Sequence, residues 1–429
     1  MKNTPISPSE FQANWKPKFF TVWGGQALSL IGSALVQFAL VWYLTQETSS
    51  ATVLATATLI ALLPQIFLGP FVGALIDRWS RRIIMIVADT AIALATAVLM
   101  LLFFLEVIQP WHVFVLLFFR SLGGAFHHPA MTSSTSLMVP NQHLARVAGI
   151  NQALQGIVTV FAPPLGALFL SLLPTQGVLA IDIGTAAFAI IPLLFIPIPQ
   201  PRRQVGPDGE VEAVTSYWQD LKDGSQYVLK WPGLLGLILL VMMLNFLLSP
   251  SSALLPILVT DVFKGGASEL GWVESLFGVG VILGGILLGA WGGFKRRIIT
   301  SFIGVIGIGI GVILNGIIPE TIFYLLLPAS FLIGFAQVFA NSPLHAIFQS
   351  TIAPDMQGRV FSLINAGATA MMPISLLIAG PVADALGVRI WYIIGGSICV
   401  VMAIIAAFIP AIVQIEQNQA IETAVIPAE

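Results

Sequence analysis

The chain holds a single cysteine, Cys399, in 429 residues. That excludes an internal disulfide and any cysteine-built metal cluster. Charge is also scarce: 9% of residues are Asp, Glu, Lys or Arg, against roughly 25% in soluble domains. A soluble protein of this length could not cover its surface with so few. The net charge of -2 gives no basic field for nucleic acid. No G-x-x-x-x-G-K-S/T loop occurs, which disfavours a nucleotide-driven pump, and no nucleophile–base pair or ligand cluster points to a membrane enzyme. No cofactor or metal is expected. The first 18 residues are polar, with Lys2, Lys16 and Lys18. They lack the apolar core of a cleavable signal peptide, so the first span is expected to insert as its own signal.

What the chain has is apolar length. Hydrophobic residues make up 57%, and runs of about 20 such residues, enough to cross a bilayer, recur along it. They predict an all-α integral membrane protein with spans near 19–44, 51–76, 82–105, 111–130, 147–173, 178–198, 233–258, 270–293, 298–318, 321–342, 358–384 and 389–412. With the N-terminus inside, 15 of the 18 Lys and Arg fall in cytoplasmic segments. That bias places both termini in the cytoplasm.

The pattern divides the chain into a six-span bundle at 1–198, a polar linker at 199–232, a second bundle at 233–412 and a polar tail at 413–429. In the linker Trp218, Leu221, Val228 and Leu229 fall on one helical face, which reads as an interfacial helix or as a solvated connection. The bundles repeat one another. Gly69-x-x-x-Gly73-Ala74 ahead of Arg81-Arg82 is matched by Gly285-x-x-x-Gly289-Ala290 ahead of Arg296-Arg297, an offset of 216, and Arg146 before span 5 is matched by Arg359 before span 11, an offset of 213. Six spans per copy make the repeat parallel, the arrangement of secondary transporters that rock about a midplane site.

On these residues the chain resembles the major facilitator superfamily over nearly its full length. The segment Gly73-Ala74-Leu75-Ile76-Asp77-Arg78-Trp79-Ser80-Arg81-Arg82 resembles that superfamily's loop 2–3 signature. The likeness implies a cytoplasmic gate in which Gly73 admits a neighbouring helix while Asp77 bonds a helix end and pairs with a basic residue, Arg78, Arg81 and Arg82 being at hand. A plain topogenic cluster would not need the Gly and the Asp. The second copy has Gly293 at the Asp position, so the latch is expected to be asymmetric. Arg120, with Ser121, Gly123 and Gly124, resembles the span 4 motif associated with proton coupling; a buried Arg faces the bundle interior with a partner, or bonds backbone carbonyls. In span 5, Gly156, Pro163, Pro164 and Gly166 resemble the antiporter signature of drug exporters, although Ala162 and Ala167 stand where glycines would. Asp182, Asn245-Phe246-x-x-Ser249-Pro250, Glu274 and Ala125-Phe126-His127-x-Pro129-Ala130 resemble the macrolide-efflux branch of proton-coupled drug antiporters.

A proton-driven carrier needs a group that changes charge, and desolvation favours the neutral form of a carboxyl group in general. Glu274, Asp182 and Asp89, in that order, are the candidates, each with a structural alternative as a hydrogen-bonded acid. Asp384, at the end of span 11, reads as structural. Gln26, Ser29, Ser33 and Gln37 form one stripe on span 1, suited to an aqueous cavity or to helix–helix contact, and Asn245 is a further cavity candidate. His127 and His128, at the cytoplasmic end of span 4, could be metal ligands or pH sensors, but with no Cys or carboxylate cluster beside them they read as interfacial packing. Gly307-x-Gly309-x-Gly311 lies in mid-membrane and reads as helix packing. The resemblance implies a monomer in the lipid bilayer that exports small amphiphilic drugs against protons by alternating access. The alternatives are a lysophospholipid flippase or siderophore exporter of the same superfamily, and an uptake symporter.

Overall fold

The computed structural model describes residues 14–199, 217–353 and 356–416, with the side chains of 70, 71, 73, 74, 77, 78 and 217–221 outside the description. Among the described residues there are helices and no strands. Twelve helices run 20 residues or more: α1 (Trp15–Thr48), α2 (Ala51–Arg78), α3 (Arg81–Phe104), α4 (Pro110–Met138), α5 (Asn141–Leu172), α6 (Thr175–Phe195), α8 (Pro232–Ala253), α9 (Ala267–Trp291), α10 (Arg297–Ile317), α11 (Leu326–Thr351), α12 (Gln357–Leu386) and α13 (Val388–Ala407). A shorter helix, α7 (Tyr217–Leu229), precedes α8. Eleven of the twelve are long and apolar enough to cross a membrane. The twelfth, α4, has the length, but Arg120, His112, His127, His128 and the Thr132–Ser136 run dilute its apolar content. The twelve-span, all-α fold is therefore present. Its helices overshoot the apolar runs: α4 continues to Met138 and α11 to Thr351, because a helix keeps its backbone bonds beyond the point where its side chains turn polar.

The described residues divide into two compact units. One takes residues up to Thr48 and Ala57–Val214; the other takes Ser49–Thr56 and everything from Thr215. In the first, α1 packs on α6 and α5, and α3 packs on α4 and α6. In the second, α10 packs on α11 and α13, α9 on α11, and α12 on α8 and α7. Glycine sets several of these contacts, as expected where apolar helices gain most from close backbone approach. A Cβ on Gly304 would stand 2.7 Å from Ala340 Cα, and one on Gly309 would stand 2.9 Å from the Gly396 carbonyl. The glycine run in α10 is helix packing.

The helix α7 docks within the second unit against the start of α12. Val228 is buried in its core, the Ala353 N–H donates to Tyr227 Oη at 3.4 Å, and Asp223 lies 3.5 Å from Arg359. Leu229, expected on the same face as Val228, is 65% exposed, since successive helical residues point about 100° apart. Trp218 and Leu221 fall outside the described side chains.

The two copies of the repeat part where the sequence does. The helix α2 continues through Asp77 to Arg78, whereas α9 stops at Trp291 and both Gly292 and Gly293 have φ of +80°. An Asp at 293 would be strained in that left-handed conformation, so the second copy has no helical position for a matching carboxylate.

Within the second unit Asp384 caps the N-terminus of α2. Its carboxylate accepts the Ala51 N–H at 2.7 Å, the Thr52 N–H at 3.1 Å and the Ser50 hydroxyl at 3.0 Å. A negative group on the orphan N–H groups of a first turn is stabilising. Asp384→Ala is expected to lose about 1 kcal/mol, the usual worth of an N-cap, read as a lower unfolding midpoint in detergent. An unchanged midpoint would count against the cap.

Candidate functional site

The first unit holds a half-open cavity of about 720 Å³. The polar stripe of α1 forms one wall: Gln26, Ser29, Ser33 and Gln37 all line it. The opposite side comes from α4, where Arg120, Gly124, His127 and His128 follow the i, i+4, i+7, i+8 spacing of one helical face and all line the cavity. From α3 comes Asp89, from α6 Asp182, and from α2 Gln65. The two histidines, expected to pack at the cytoplasmic interface, stand in the cavity wall instead.

Two carboxylates organise the polar groups. Asp182, 1% exposed, accepts Arg120 Nη1 at 2.7 Å, the Thr96 hydroxyl at 3.0 Å and, on its other oxygen, the Ser33 hydroxyl at 3.0 Å. Arg120 also donates to Thr96 Oγ1. One carboxylate thereby ties α6 to α1, α3 and α4, and a charged acceptor makes each of those hydrogen bonds stronger than a neutral one. The approach of α1 to α6 depends on Gly32, where a Cβ would lie 3.3 Å from Asp182 Cα and collide with Thr185. Asp89, 5% exposed, accepts the Gln26 amide at 2.9 Å. His127 Nε2 lies 3.2 Å from its other oxygen, an ion-pair distance without hydrogen-bond alignment.

Three of the four coupling candidates, Asp89, Arg120 and Asp182, thus share one cavity. Glu274 does not. It sits on α9 in the other unit, half-buried, with no hydrogen-bonding or ion-pair partner among the described residues. Asn245 on α8 is also apart, its amide spent on the Val241 carbonyl of its own helix at 2.9 Å. Thr96 escaped the sequence reading, although it stands seven residues after Asp89 on the same face of α3. Gln65 carried no such periodic signal.

Of the gate residues, Gly73, Asp77 and Arg78 lie outside the described side chains. Arg81 is buried and donates to the Ser133 carbonyl of α4 at 2.7 Å. Arg82 donates to the Leu193 and Leu194 carbonyls in the last turn of α6, a cationic C-cap. In α5 the helix runs unbroken through Pro163 and Pro164. Gly166 lets it meet α1, since a Cβ there would stand 2.8 Å from the Phe38 ring; Gly156 is half-buried on the same helix.

Comparison with known proteins agrees with this architecture. The family profile described as Major Facilitator Superfamily matches residues 22–254 and 247–422. The chain is 35% identical over 396 residues to Macrolide efflux protein A of Streptococcus pyogenes, covering 92% of this chain and 96% of that protein. It is 24% identical over 394 residues to the Multidrug efflux pump Tap of Mycolicibacterium fortuitum, covering 90% and 94%. Among solved structures, a variant of the nucleoside transporter NupG shares the fold with a TM-score of 0.72 at 14% identity, over 92% of this chain and all of that one. An inward-facing bacterial homologue of the iron transporter ferroportin does so with a TM-score of 0.65 at 17% identity, over 90% and 98%. The chain belongs to the Major Facilitator Superfamily of membrane transporters.

Proposed function

We propose that this protein is a proton-coupled secondary exporter of amphiphilic drugs, macrolides among them. It works by alternating access, as a monomer in a prokaryotic inner membrane with both termini cytoplasmic. The observation that carries this reading is the cavity of the first unit. Its polar wall holds two carboxylates, each on a helix apolar enough to span a bilayer, and an arginine on α4. Ionisable groups at such depth are costly and mark ion or substrate pathways. Its volume of about 720 Å³ lies in the range of sites that enclose drug-sized ligands, and Leu30, Ile92, Leu117 and Ala186 give it an apolar floor. Relatives named for macrolide and multidrug efflux support the substrate class.

In this mechanism substrate enters from the cytoplasm or inner leaflet. A proton taken up from outside on a membrane carboxylate promotes release, and the return step delivers that proton to the cytoplasm. The Arg120–Asp182 pair holds together four of the five helices that line the cavity, α1, α3, α4 and α6. Glu274 is the coupling carboxylate of the second unit, and Asp77 with its basic neighbours is the cytoplasmic gate.

The test is uptake of a labelled macrolide and a fluorescent cationic dye into inverted vesicles under an inward-acid gradient. Gradient-driven uptake that a protonophore abolishes is expected, and Glu274→Gln should lose it while keeping some substrate binding. Absence of drug movement under a verified gradient would overturn the reading and turn the assay to lysolipids and siderophores. Full uptake by Glu274→Gln would confine coupling to the first unit's cavity.

A further inference from the structure

The two cavity carboxylates differ in what faces them. Asp182 meets the Arg120 guanidinium and two hydroxyls, so that corner of the cavity is charge-matched. Asp89 is as deeply placed but pairs with no lysine or arginine among the described residues. Its neighbours are the neutral Gln26 amide at 2.9 Å and the His127 imidazole at 3.2 Å. His127 Nε2 is itself shielded from solvent and finds no aligned acceptor. The remaining titratable group of the lining is His128, which is exposed and paired with neither carboxylate.

The charge that faces Asp89 is therefore set by one side chain, His127. With the imidazole of His127 neutral, one negative charge stands uncompensated, at Asp89. With the imidazole protonated, the same carboxylate has its counter-ion. Histidine is the side chain whose ordinary chemistry makes that change near neutral pH. A buried carboxylate without a partner is costly, and in a cavity of this volume and apolar floor the natural partner is the charged head of a bulky organic cation. A small metal ion would leave most of the space, and all of the apolar wall, unused.

We propose that Asp89, with Gln26 and His127, is the seat for the ammonium head of a cationic amphiphilic substrate, and that this head and a proton on His127 exclude one another there. The proposal rests on the reading of the protein as a proton-coupled drug exporter and places the exchange at named atoms. As a cation arrives, the imidazole gives its proton to water and Asp89 keeps a single positive partner. As the cation leaves, the imidazole takes a proton from water. Only N–H bonds form and break, and one positive charge replaces another.

The full-length protein in lipid nanodiscs tests this by calorimetric titration with tetraphenylphosphonium. That permanent cation has no proton of its own to lose, and neutral triphenylphosphine oxide serves as the uncharged control. Buffers of different ionisation enthalpy count the protons released. Wild-type affinity for the cation is expected to rise with pH between about 5 and 8, with up to about one proton released per cation, as reciprocal linkage requires. His127→Gln should bind the cation with neither pH dependence nor proton release. Asp89→Asn should bind it at least about tenfold more weakly, the effect of removing a desolvated counter-ion. Binding of the oxide should stay unchanged throughout.

Unfolding midpoints show that each variant is folded, and proton release by the wild type is a readout that needs no variant. Proton release that survives in His127→Gln, or unaltered cation affinity in a folded Asp89→Asn, would overturn the proposal. So would a wild type that binds no cation yet drives macrolide uptake in vesicles, leaving the exporter reading intact. Cation–proton competition lost as expected in the variants, in a protein that moves no drug under a gradient, would support the seat and overturn the exporter reading.

Discussion

Arg120→Ala is expected to abolish gradient-driven transport and to cost about 3–5 kcal/mol of stability, the range for leaving one charge of a buried pair alone. The side chains of Arg120 and Asp182 are 9% and 2% exposed, so water reaches the pair only from the cavity side and solvates a lone carboxylate poorly. Asp182 would keep the Ser33 and Thr96 hydroxyls, two neutral donors for a full charge. Two further variants separate misfolding from lost function. Arg120→Lys keeps the charge, but a compact ammonium lacks the planar fork with which the guanidinium serves both Thr96 and Asp182. It should fold better than the alanine variant and still transport poorly. The double change Arg120→Leu with Asp182→Leu removes both charges, and such replacements are often neutral for stability. It should recover the unfolding midpoint while remaining inactive. If Arg120→Ala transports normally at an unchanged midpoint, the pair neither braces the cavity nor serves transport.

That pair also marks how far the sequence could be read. A lone arginine in an apolar span predicts an inward-facing partner, and the polar stripe at Gln26, Ser29, Ser33 and Gln37 predicts a wetted face. Both predictions concern one helix at a time, because helical periodicity fixes which residues share a face. The spacing of Arg120 to His127 is two turns of the same face. The histidines could have been read as cavity residues had that periodicity been weighed above their nearness to the helix end. The partner of Arg120 was not legible. Asp89, Asp182 and Glu274 are equally acidic in the sequence, and only the packing of α3 and α4 against α6 and α1 brings Asp182, 62 residues away, to the guanidinium. The same packing gives Asp89 to Gln26 and His127 and leaves Glu274 in the other unit. The fold was more legible than the site, since twelve apolar runs and an internal repeat are local signals. Helix ends were less so, because α4 and α11 are sustained past their apolar runs by backbone bonding. The missing Asp at Gly293 was visible as a departure, but the left-handed backbone that accompanies it was not.

The adjacent glycines of α1 give the second large effect and its own control. A Cβ on Gly25 would lie 3.0 Å from the Phe188 carbonyl carbon and 3.2 Å from Ala189 Cα, and would collide with the Phe188 carbonyl oxygen, all backbone atoms of α6. A Cβ on Gly24 would meet nothing within 4 Å. Both residues are glycine inside the same helix, so propensity and chain entropy change equally when either is replaced. Gly25→Val should therefore destabilise by more than Gly24→Val, by about 1–3 kcal/mol or above, the cost of overpacking a contact that cannot yield. The consequence reaches function because the α1–α6 seam presents Ser33 to Asp182, with Gly32 at a second close approach one residue before Ser33. Prising α1 away takes a donor from the Arg120–Asp182 corner and shifts Gln26, the residue after Gly25, from Asp89. Gly25→Val is expected to lower the unfolding midpoint and cut macrolide uptake at least about tenfold, equivalent to roughly 1.4 kcal/mol, with Gly24→Val close to the wild type in both. Equal damage from the two variants would mean that a valine in α1 is harmful wherever it sits, and that the seam does not hold the cavity together.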